Sequence, residues 1–335
     1  MNVAVLGSGS WGTALALLLA RSGHEVILLG RDEEEIEILR STRENLKYLP
    51  GFILPENVKF ELLHSHLEPV EMTVVAVPSN AARAVVQEVS GNHPLVVVAA
   101  KGLEAGSGKT MAEVVSEVLP GAHIGALSGP NLAVEIVRGI PTAAVAAFKD
   151  DEQAEKVRLA FNCRTFRVYK SDDVIGVELA GALKNVIAVG AGMSDGLGFG
   201  DNTKGAFLAR GLKEMVVLGL TMGARLETFL GIAGVGDLFA TASSILSRNY
   251  RAGKYLGQGK SLEEALDEVG QVVEGVSTSE SVQMLARRHG IEMPVFAAIN
   301  SVIHGKVDPL KAVGMLMERT TPTEGLPALH LPPSI

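Results

Sequence analysis

The first 150 residues alternate short apolar runs with amphipathic stretches. Val3–Leu6, Glu25–Leu29, Thr73–Val77, Leu95–Ala99 and Ala143–Ala147 read as strands. Most are continuous apolar runs without period-2 alternation, as in strands covered on both faces. Between them, helical patterns occupy Gly12–Arg21, Glu33–Arg40, Ala81–Val89 and Thr110–Leu119. This alternation predicts an α/β fold with a Rossmann-like, doubly wound, mostly parallel sheet. Beyond residue 170 the β-rich runs stop. Helical segments follow at Asp173–Met193, Lys204–Met222, Leu262–Val269, Ser277–His289, Pro294–His304 and Pro309–Met317. Ser171, Asp172 and Asp173 are candidate N-caps for the first of them. The expected organisation is therefore two domains, 1–170 with the sheet and 171–335 all-α, with a loose Pro-containing tail after Thr320.

A length of 335 residues fits two domains. Lys+Arg 30 against Asp+Glu 38 gives a net charge of −8, which argues against a nucleic-acid partner but leaves room for a local basic pocket. The single cysteine, Cys163, forms no intrachain disulfide and fits a reducing compartment. The eight histidines are scattered, and the His64/His66 pair has no Cys or third His nearby, so no metal site is expected. Trp11–Ala20 stops at Arg21, and Leu179–Met193 is interrupted by Lys184 and Asn185. Neither reaches the ~20 apolar residues that span a bilayer. The first strand starts at Asn2, leaving no basic n-region of a signal peptide. A soluble, cytoplasmic protein without a transmembrane segment is expected.

Gly7-Ser8-Gly9-Ser10-Trp11-Gly12 matches G-x-G-x-x-G. With 37 glycines in the chain, about 0.4 such matches arise by chance, so context must carry the reading. A strand precedes the loop and an apolar helix follows it. Gly7, Gly9 and Gly12 would allow a sharp turn, the approach of a pyrophosphate and close helix packing, with the anion on the helix N-terminus. The second strand ends Leu29-Gly30-Arg31-Asp32. Gly30 stands where an acid would bind the ribose of NAD, and Arg31 can pair with a 2′-phosphate. NADP is favoured, with NAD also accepted; the alternative is a solvated Arg31 with Asp32 on the ribose.

The later motifs are Gly176–Asn185, Asp195–Lys204, Gly234-Val235-Gly236-Asp237-Leu238, Ser247-Arg248-Asn249 and Gln271-Val272-Val273-Glu274-Gly275. With Gly7–Gly12, Ala100-Lys101-Gly102 and Ser128-Gly129-Pro130-Asn131, the chain resembles the bacterial NAD(P)-dependent sn-glycerol-3-phosphate dehydrogenases from Val3 to about Arg319. The resemblance implies reversible hydride transfer between NAD(P)H and dihydroxyacetone phosphate, giving sn-glycerol 3-phosphate for phospholipid synthesis. It implies Lys184 as proton donor and acceptor, and Lys101, Gly129, Asn131, Lys184, Asp237, Ser247, Arg248 and Asn249 as substrate contacts. It also implies Ser10, Trp11, Arg31, Lys101, Ala133, Arg248, Val272 and Glu274 as cofactor contacts. Asn131 departs from the family's usual Ser or Thr but keeps its hydrogen-bonding capacity. The sequence leaves the oligomeric state open, a homodimer being one assembly compatible with it.

The residues support this chemistry by themselves. Lys184 lies inside an apolar helical stretch, where an unemployed lysine is uncommon. As a base it needs its pKa to fall from ~10.4 towards ~7–8 through burial or a neighbouring positive charge, which Lys101 could supply. Ser247 reads as the N-cap of a helix through Tyr255, and Arg248 in its first turn makes an anion site; the alternative is a capped helix with a solvated Arg. Asp237 either orients Lys184 or meets a substrate hydroxyl, and also caps a helix beginning at Leu238. Gly190–Gly200 reads as a turn plus N-cap or as a plain helix connection. Trp11 packs on the cofactor side or staples its helix. A β-hydroxyacid dehydrogenase would place Asn four residues after its lysine. Here that position is Ala188, and Asn185 points about 100° away round the helix. A non-catalytic NADP-sensing protein is the other rival, and needs neither Lys184 nor an anion site.

Overall fold

A computed structural model of the chain describes residues 1–65, 69–89, 91–319 and 325; His66 and, apart from Gly325, the tail from Thr320 onward lie outside the described residues. The chain forms two compact units. One comprises Met1–Lys101 and Met111–Val174, the other Gly102–Thr110 and the chain from Ile175 onward.

The first unit runs β1 (Asn2–Leu6), α1 (Ser10–Arg21), β2 (Glu25–Gly30), α2 (Glu33–Thr42), β3 (Glu44–Asn45), β4 (Leu49–Ile53), β5 (Val58–Leu62) and β6 (Met72–Val75). It continues with α3 (Ala82–Glu88), β7 (Leu95–Val98), α4 (Met111–Val118), β8 (His123–Ser128), α5 (Ala133–Val137), β9 (Thr142–Ala147), α6 (Asp151–Phe161) and β10 (Phe166–Ser171). Eight strands form one sheet in the order β10–β9–β8–β7–β6–β1–β2–β5. All neighbours are parallel except β8 and β9. Counted along the chain within the sheet, its first six strands take the doubly wound order 3-2-1-4-5-6.

The predicted strands are five of the eight in this sheet, and the sequence patterns of the other three are weaker for identifiable reasons. β5 (VKFEL) and β10 (FRVYKS) are the sheet edges, and their burial alternates where the central strands are continuously apolar. β8 carries His123 and Gly125 in place of a β-branched run. A Cβ on Gly125 would lie 2.4 Å from the Phe148 ring, so an aromatic covers the position that a larger residue would fill. The antiparallel β3–β4 pair is a small excursion tied back to the glycine loop. Asn45 donates to the Ser8 carbonyl and to Thr13 Oγ1, both at 2.7 Å.

The second unit is helical: α7 (Val174–Gly196), α8 (Asp201–Thr221), α9 (Leu226–Leu230), α10 (Asp237–Ser243), α11 (Arg248–Gly257), α12 (Leu262–Val269), α13 (Glu274–His289), α14 (Pro294–Ile303) and α15 (Pro309–Met317). The Gly102–Thr110 segment belongs here. Leu103 is buried in the helical core, and Arg288 donates to the Ser107 carbonyl at 3.1 Å. α7 has the length and mean hydropathy (1.6) of a membrane span, unlike the shorter Leu179–Met193 stretch read from sequence, but 94% of its apolar window is buried in the fold. It is the core helix of this unit. It also continues to Gly196, so the expected turn over Gly190–Gly200 shrinks to its last four residues, and Gly200 holds the N-cap position of α8.

Those glycines serve helix packing. A Cβ on Gly192 would lie 2.0 Å from the Tyr250 carbonyl oxygen, and one on Gly253 would lie 1.8 Å from that of Val189. α7 and α11 therefore touch backbone to backbone, at a separation that excludes any side chain. Elsewhere in the core, Glu214 on α8 accepts from the Val295 and Phe296 amides at 2.8 and 3.1 Å, satisfying the start of α14. Burial pushes its carboxyl up to about 7, against the opposing pull of those two amides and of Arg319 and Arg210. A carboxyl raised in the folded state binds more protons there than when unfolded, so stability falls as pH rises from about 4.5 to about 7. The folding free energy of the Glu214→Gln variant should lack this part of the slope, a difference of about 3 kcal/mol across the window. Denaturant melts of both proteins at several pH values check it.

Candidate active site

In the first unit, β1 runs into Gly7, whose φ of +112° and closeness to Ala76 (2.8 Å from a Cβ to its carbonyl oxygen) both require glycine. Gly12, in the first turn of α1, would set a Cβ 1.9 Å from the Gly7 carbonyl oxygen. Gly9 holds the N-cap position, faces open space, and leaves α1 without a side-chain cap. Uncapped amides beside open space are what a pyrophosphate needs, so the loop fits a dinucleotide. Ser10 Oγ donates to the Tyr48 carbonyl at 2.5 Å, and the Trp11 indole donates to the Ala99 carbonyl at 3.0 Å. Trp11 thus ties α1 to the end of β7.

At the end of β2, Gly30 packs closely, with Ser8 Oγ 2.5 Å and Ile36 Cδ1 2.9 Å from where a Cβ would lie, so a side chain here would require both to shift. Asp32 caps α2 by accepting from the Glu35 amide at 2.9 Å, and Arg31 is exposed beside it. Further along the sheet, Lys101 Nζ donates to the Gly129 carbonyl at 2.8 Å, and Asn131 Nδ2 donates to that of Ala143 at 3.1 Å. Asn131 Oδ1 and Ser128 Oγ are buried without hydrogen-bond partners. Two orphaned polar atoms on one short segment are costly unless a ligand engages them. Ala133 opens α5 and is half-buried.

In the second unit the ammonium of Lys184, on α7, is buried with the residue 6% exposed. It donates to Thr241 Oγ1 at 2.7 Å and pairs with Asp237 Oδ1 at 3.1 Å; Thr241 in turn donates to Asp237 Oδ1 at 3.1 Å. Asp237 is not the helix cap that the sequence suggests. A single π turn over Ile232–Gly236, closed by the Gly236 amide on the Gly231 carbonyl at 3.1 Å, runs straight into α10. No free amides remain there for Asp237 to cap, and its carboxylate turns to Lys184. Within this unit the charge beside Lys184 is thus an anion. Thr241 went unnoticed in the sequence; its signal is the i, i+4 spacing from Asp237 on one helix face.

Ser247 is the N-cap of α11, accepting from the Tyr250 amide at 3.2 Å. Arg248 is half-buried and forms no hydrogen bond or ion pair among the described residues. Burial pulls its guanidinium below its ordinary range; Glu274 opposes the shift, and the charge of Arg251 adds to it. Arg251, one turn on and also missed in the sequence, has a buried Nε without a partner. Two cations with unmatched donors share one helix start. Asn249 is committed to the protein: it donates to Asn185 Oδ1 at 2.9 Å and accepts from the Gly275 amide at 2.9 Å. Glu274 and Val272 stand at the start of α13, Val272 exposed. No His/Cys/Asp/Glu cluster suited to a metal occurs among the described residues.

A doubly wound domain with a dinucleotide loop, followed by a helical domain holding a buried lysine and an anion-ready helix start, defines an NAD(P)-linked dehydrogenase. The family models for the N- and C-terminal parts of NAD-dependent glycerol-3-phosphate dehydrogenase match residues 2–154 and 173–314. The chain is 49% identical over 323 residues to a glycerol-3-phosphate dehydrogenase [NAD(P)+] of Thermoanaerobacter sp., covering 95% of this chain and 97% of that one. A namesake from Geobacillus kaustophilus is 46% identical, covering 95% and 94%. The crystal structure of glycerol-3-phosphate dehydrogenase from Coxiella burnetii superposes with a TM-score of 0.91 at 38% identity, covering 95% and 99%. The chain therefore belongs to the NAD-dependent glycerol-3-phosphate dehydrogenase family, and it is an oxidoreductase. A D-mandelate dehydrogenase at 12% identity and TM-score 0.61 shares the fold alone.

The Lys184–Asp237 pair also makes a stability prediction. Asp237→Ala leaves a buried ammonium without its counter-charge, which should cost about 3–5 kcal/mol in denaturant unfolding. Replacing both residues by apolar ones should recover much of that loss.

Proposed function

We propose that the chain reduces dihydroxyacetone phosphate to sn-glycerol 3-phosphate, reversibly, with Lys184 moving the proton. Bound NAD(P)H supplies the hydride to the carbonyl carbon. The carbonyl oxygen then carries the developing negative charge, and Lys184 Nζ gives it a proton; in the oxidative direction the same nitrogen takes it back. Asp237 and Thr241 hold the ammonium in one orientation, since each contacts Nζ directly. The start of α11 grips the phosphate through its amides and Arg248, with Ser247 and Asn249 shaping that turn. Lys101, Gly129 and Asn131 contact the substrate. The amides of the Gly7–Gly12 loop, including Ser10 and Trp11, receive the pyrophosphate, while Ala133, Val272, Glu274, Lys101 and Arg248 border the cofactor. Arg31 takes the 2′-phosphate of NADP. The product would feed glycerophospholipid synthesis. A homodimer in the cytoplasm, with the sheet domain in 1–170 and the substrate domain in 171–335, completes the reading.

The observation that carries this reading is the unmatched donors of Arg248 and Arg251 at the start of α11. They provide a local anion site in a chain of net charge −8. The test is NADPH oxidation with dihydroxyacetone phosphate run beside unphosphorylated dihydroxyacetone. Rapid turnover of the phosphorylated ketone alone is expected; equal rates would remove the phosphate grip. Lys184→Ala should lower kcat by ~10²–10⁴-fold. Arg248→Ala should raise the substrate KM by ~10–100-fold, the worth of a charged hydrogen bond. Arg31→Ala should cost NADPH more kcat/KM than NADH, and equal losses would return Arg31 to the solvent.

A further inference from the structure

Three helices of the second unit converge on Asp195, a residue that the proposed chemistry leaves unused. Asp195 stands in the last turn of α7, about 16 Å along the helix from Lys184 at 1.5 Å per residue. Its Oδ2 accepts from Lys204 Nζ at 2.5 Å and from the Tyr250 hydroxyl. Lys204 lies in the first turn of α8, and its Nζ is also 5.5 Å from the centre of the Tyr250 ring. Tyr250 is the third residue of α11, and its amide is the one that Ser247 caps. It is 6% exposed, and burial, reinforced by Asp195, pushes its phenol up to about 12, so the hydroxyl remains a donor across the physiological range.

The position of this bond matters more than its strength. α11 begins with Ser247, Arg248 and Asn249, and two side-chain bonds tie that first turn to α7. Asn249 reaches Asn185, next to Lys184, and Tyr250 reaches Asp195 near the far end. Between them the backbones touch at Gly192 and Gly253. Contact through glycines fixes how close the helices come but resists rotation and sliding poorly, because no side chains interlock there. The two polar bonds supply that restraint. Lys204 balances the Asp195 charge, so the buried phenol meets an acceptor within a neutral pair.

We infer that Asp195 and Tyr250 are positioning residues for the phosphate grip: their bond fixes the rotation of the first turn of α11, and so the placement of Arg248 relative to Lys184. This rests on the reading of Arg248 as the phosphate-binding group. The full-length Tyr250→Phe protein keeps the ring and its contact with Lys204 and loses only the hydroxyl. Its KM for dihydroxyacetone phosphate should rise roughly 3- to 10-fold, as for one lost hydrogen bond, with kcat nearly unchanged. The inhibition constant of inorganic phosphate, competing with that substrate, should rise in parallel. Asp195→Ala should behave likewise, whereas Asp195→Asn, which still offers an oxygen to Tyr250, should lie closer to the parent.

Unchanged KM and phosphate inhibition in Tyr250→Phe would overturn the inference. So would a fall in kcat as large as the rise in KM, which marks a general structural lesion. Arg248→Ala, measured alongside, separates the two readings. If it leaves KM and phosphate inhibition unchanged, the phosphate grip itself is wrong. If it raises both while Tyr250→Phe raises neither, only the positioning role fails.

Discussion

The second unit is built around an unfavourable placement, a lysine ammonium in the middle of a 23-residue apolar helix. Taking such an ion out of water costs several kcal/mol even after the protein relaxes. A counter-charge and hydrogen-bond acceptors must therefore reach the same point from another element. α10 meets that demand with Asp237 and Thr241, one turn apart. The π turn before α10 follows from the same constraint, because it feeds Asp237 into the helix body and directs its carboxylate inward. A buried pair of this kind is a poor source of stability compared with apolar packing. Its presence in the core is better explained by the proton that Lys184 is proposed to move.

The same constraint gives the glycines of α7 and α11 their meaning. High glycine content suggests turns and ligand approaches, and Gly7 and Gly12 do stand where the backbone leaves room for glycine alone. Gly192 and Gly253 lie inside helices, where glycine costs about 1 kcal/mol relative to alanine. Nothing in the local pattern distinguishes them from residues at a helix end. Their reason is tertiary: the carbonyls of Tyr250 and Val189 occupy the space of a Cβ. That close approach brings the start of α11 to the helix that carries Lys184.

The continuously apolar strands of the sheet are legible in the sequence; its two edges and the glycine-bearing β8 are not. Central strands are buried on both faces and must be apolar throughout, so their pattern is plain. β5 and β10 are edges with one face wetter than the other, and their alternating residues mimic surface segments. The site divides along a similar line. Lys184, Arg248 and the glycine loop stand out because each breaks a local rule: a charge in an apolar run, a cation at a helix start, three glycines in six residues. Thr241 and Arg251 break none, since a threonine inside a short helix and a second arginine on a basic one are ordinary. For Asp237 the sequence leaves a contact with Lys184, a contact with substrate and a helix cap side by side, and the π turn, which has no sequence signature of its own, accompanies the first of these. For Lys184 the sequence offers burial or a positive neighbour as the means of lowering its pKa; the fold shows the burial, and adds an anion that no local pattern announces.

Charge is distributed to match an anionic substrate without a basic surface. The chain carries −8 overall, so long-range attraction of a phosphorylated ligand is weak or adverse. Recognition must be short-range, through donors that lack partners. Arg248 and Arg251 meet this condition because their own surroundings do not satisfy them, and desolvation beside a second cation leaves the Arg248 guanidinium less comfortable than in water. On the proposed reading, a phosphate dianion would supply the missing partner at the start of α11. The orphaned Asn131 Oδ1, an acceptor, and Ser128 Oγ, a hydroxyl, are the uncharged counterparts in the first unit. The candidate site residues therefore fall into two kinds: polar atoms that the fold leaves without partners, and, in the second unit, pairs that it completes, Lys184 with Asp237 and Tyr250 with Asp195.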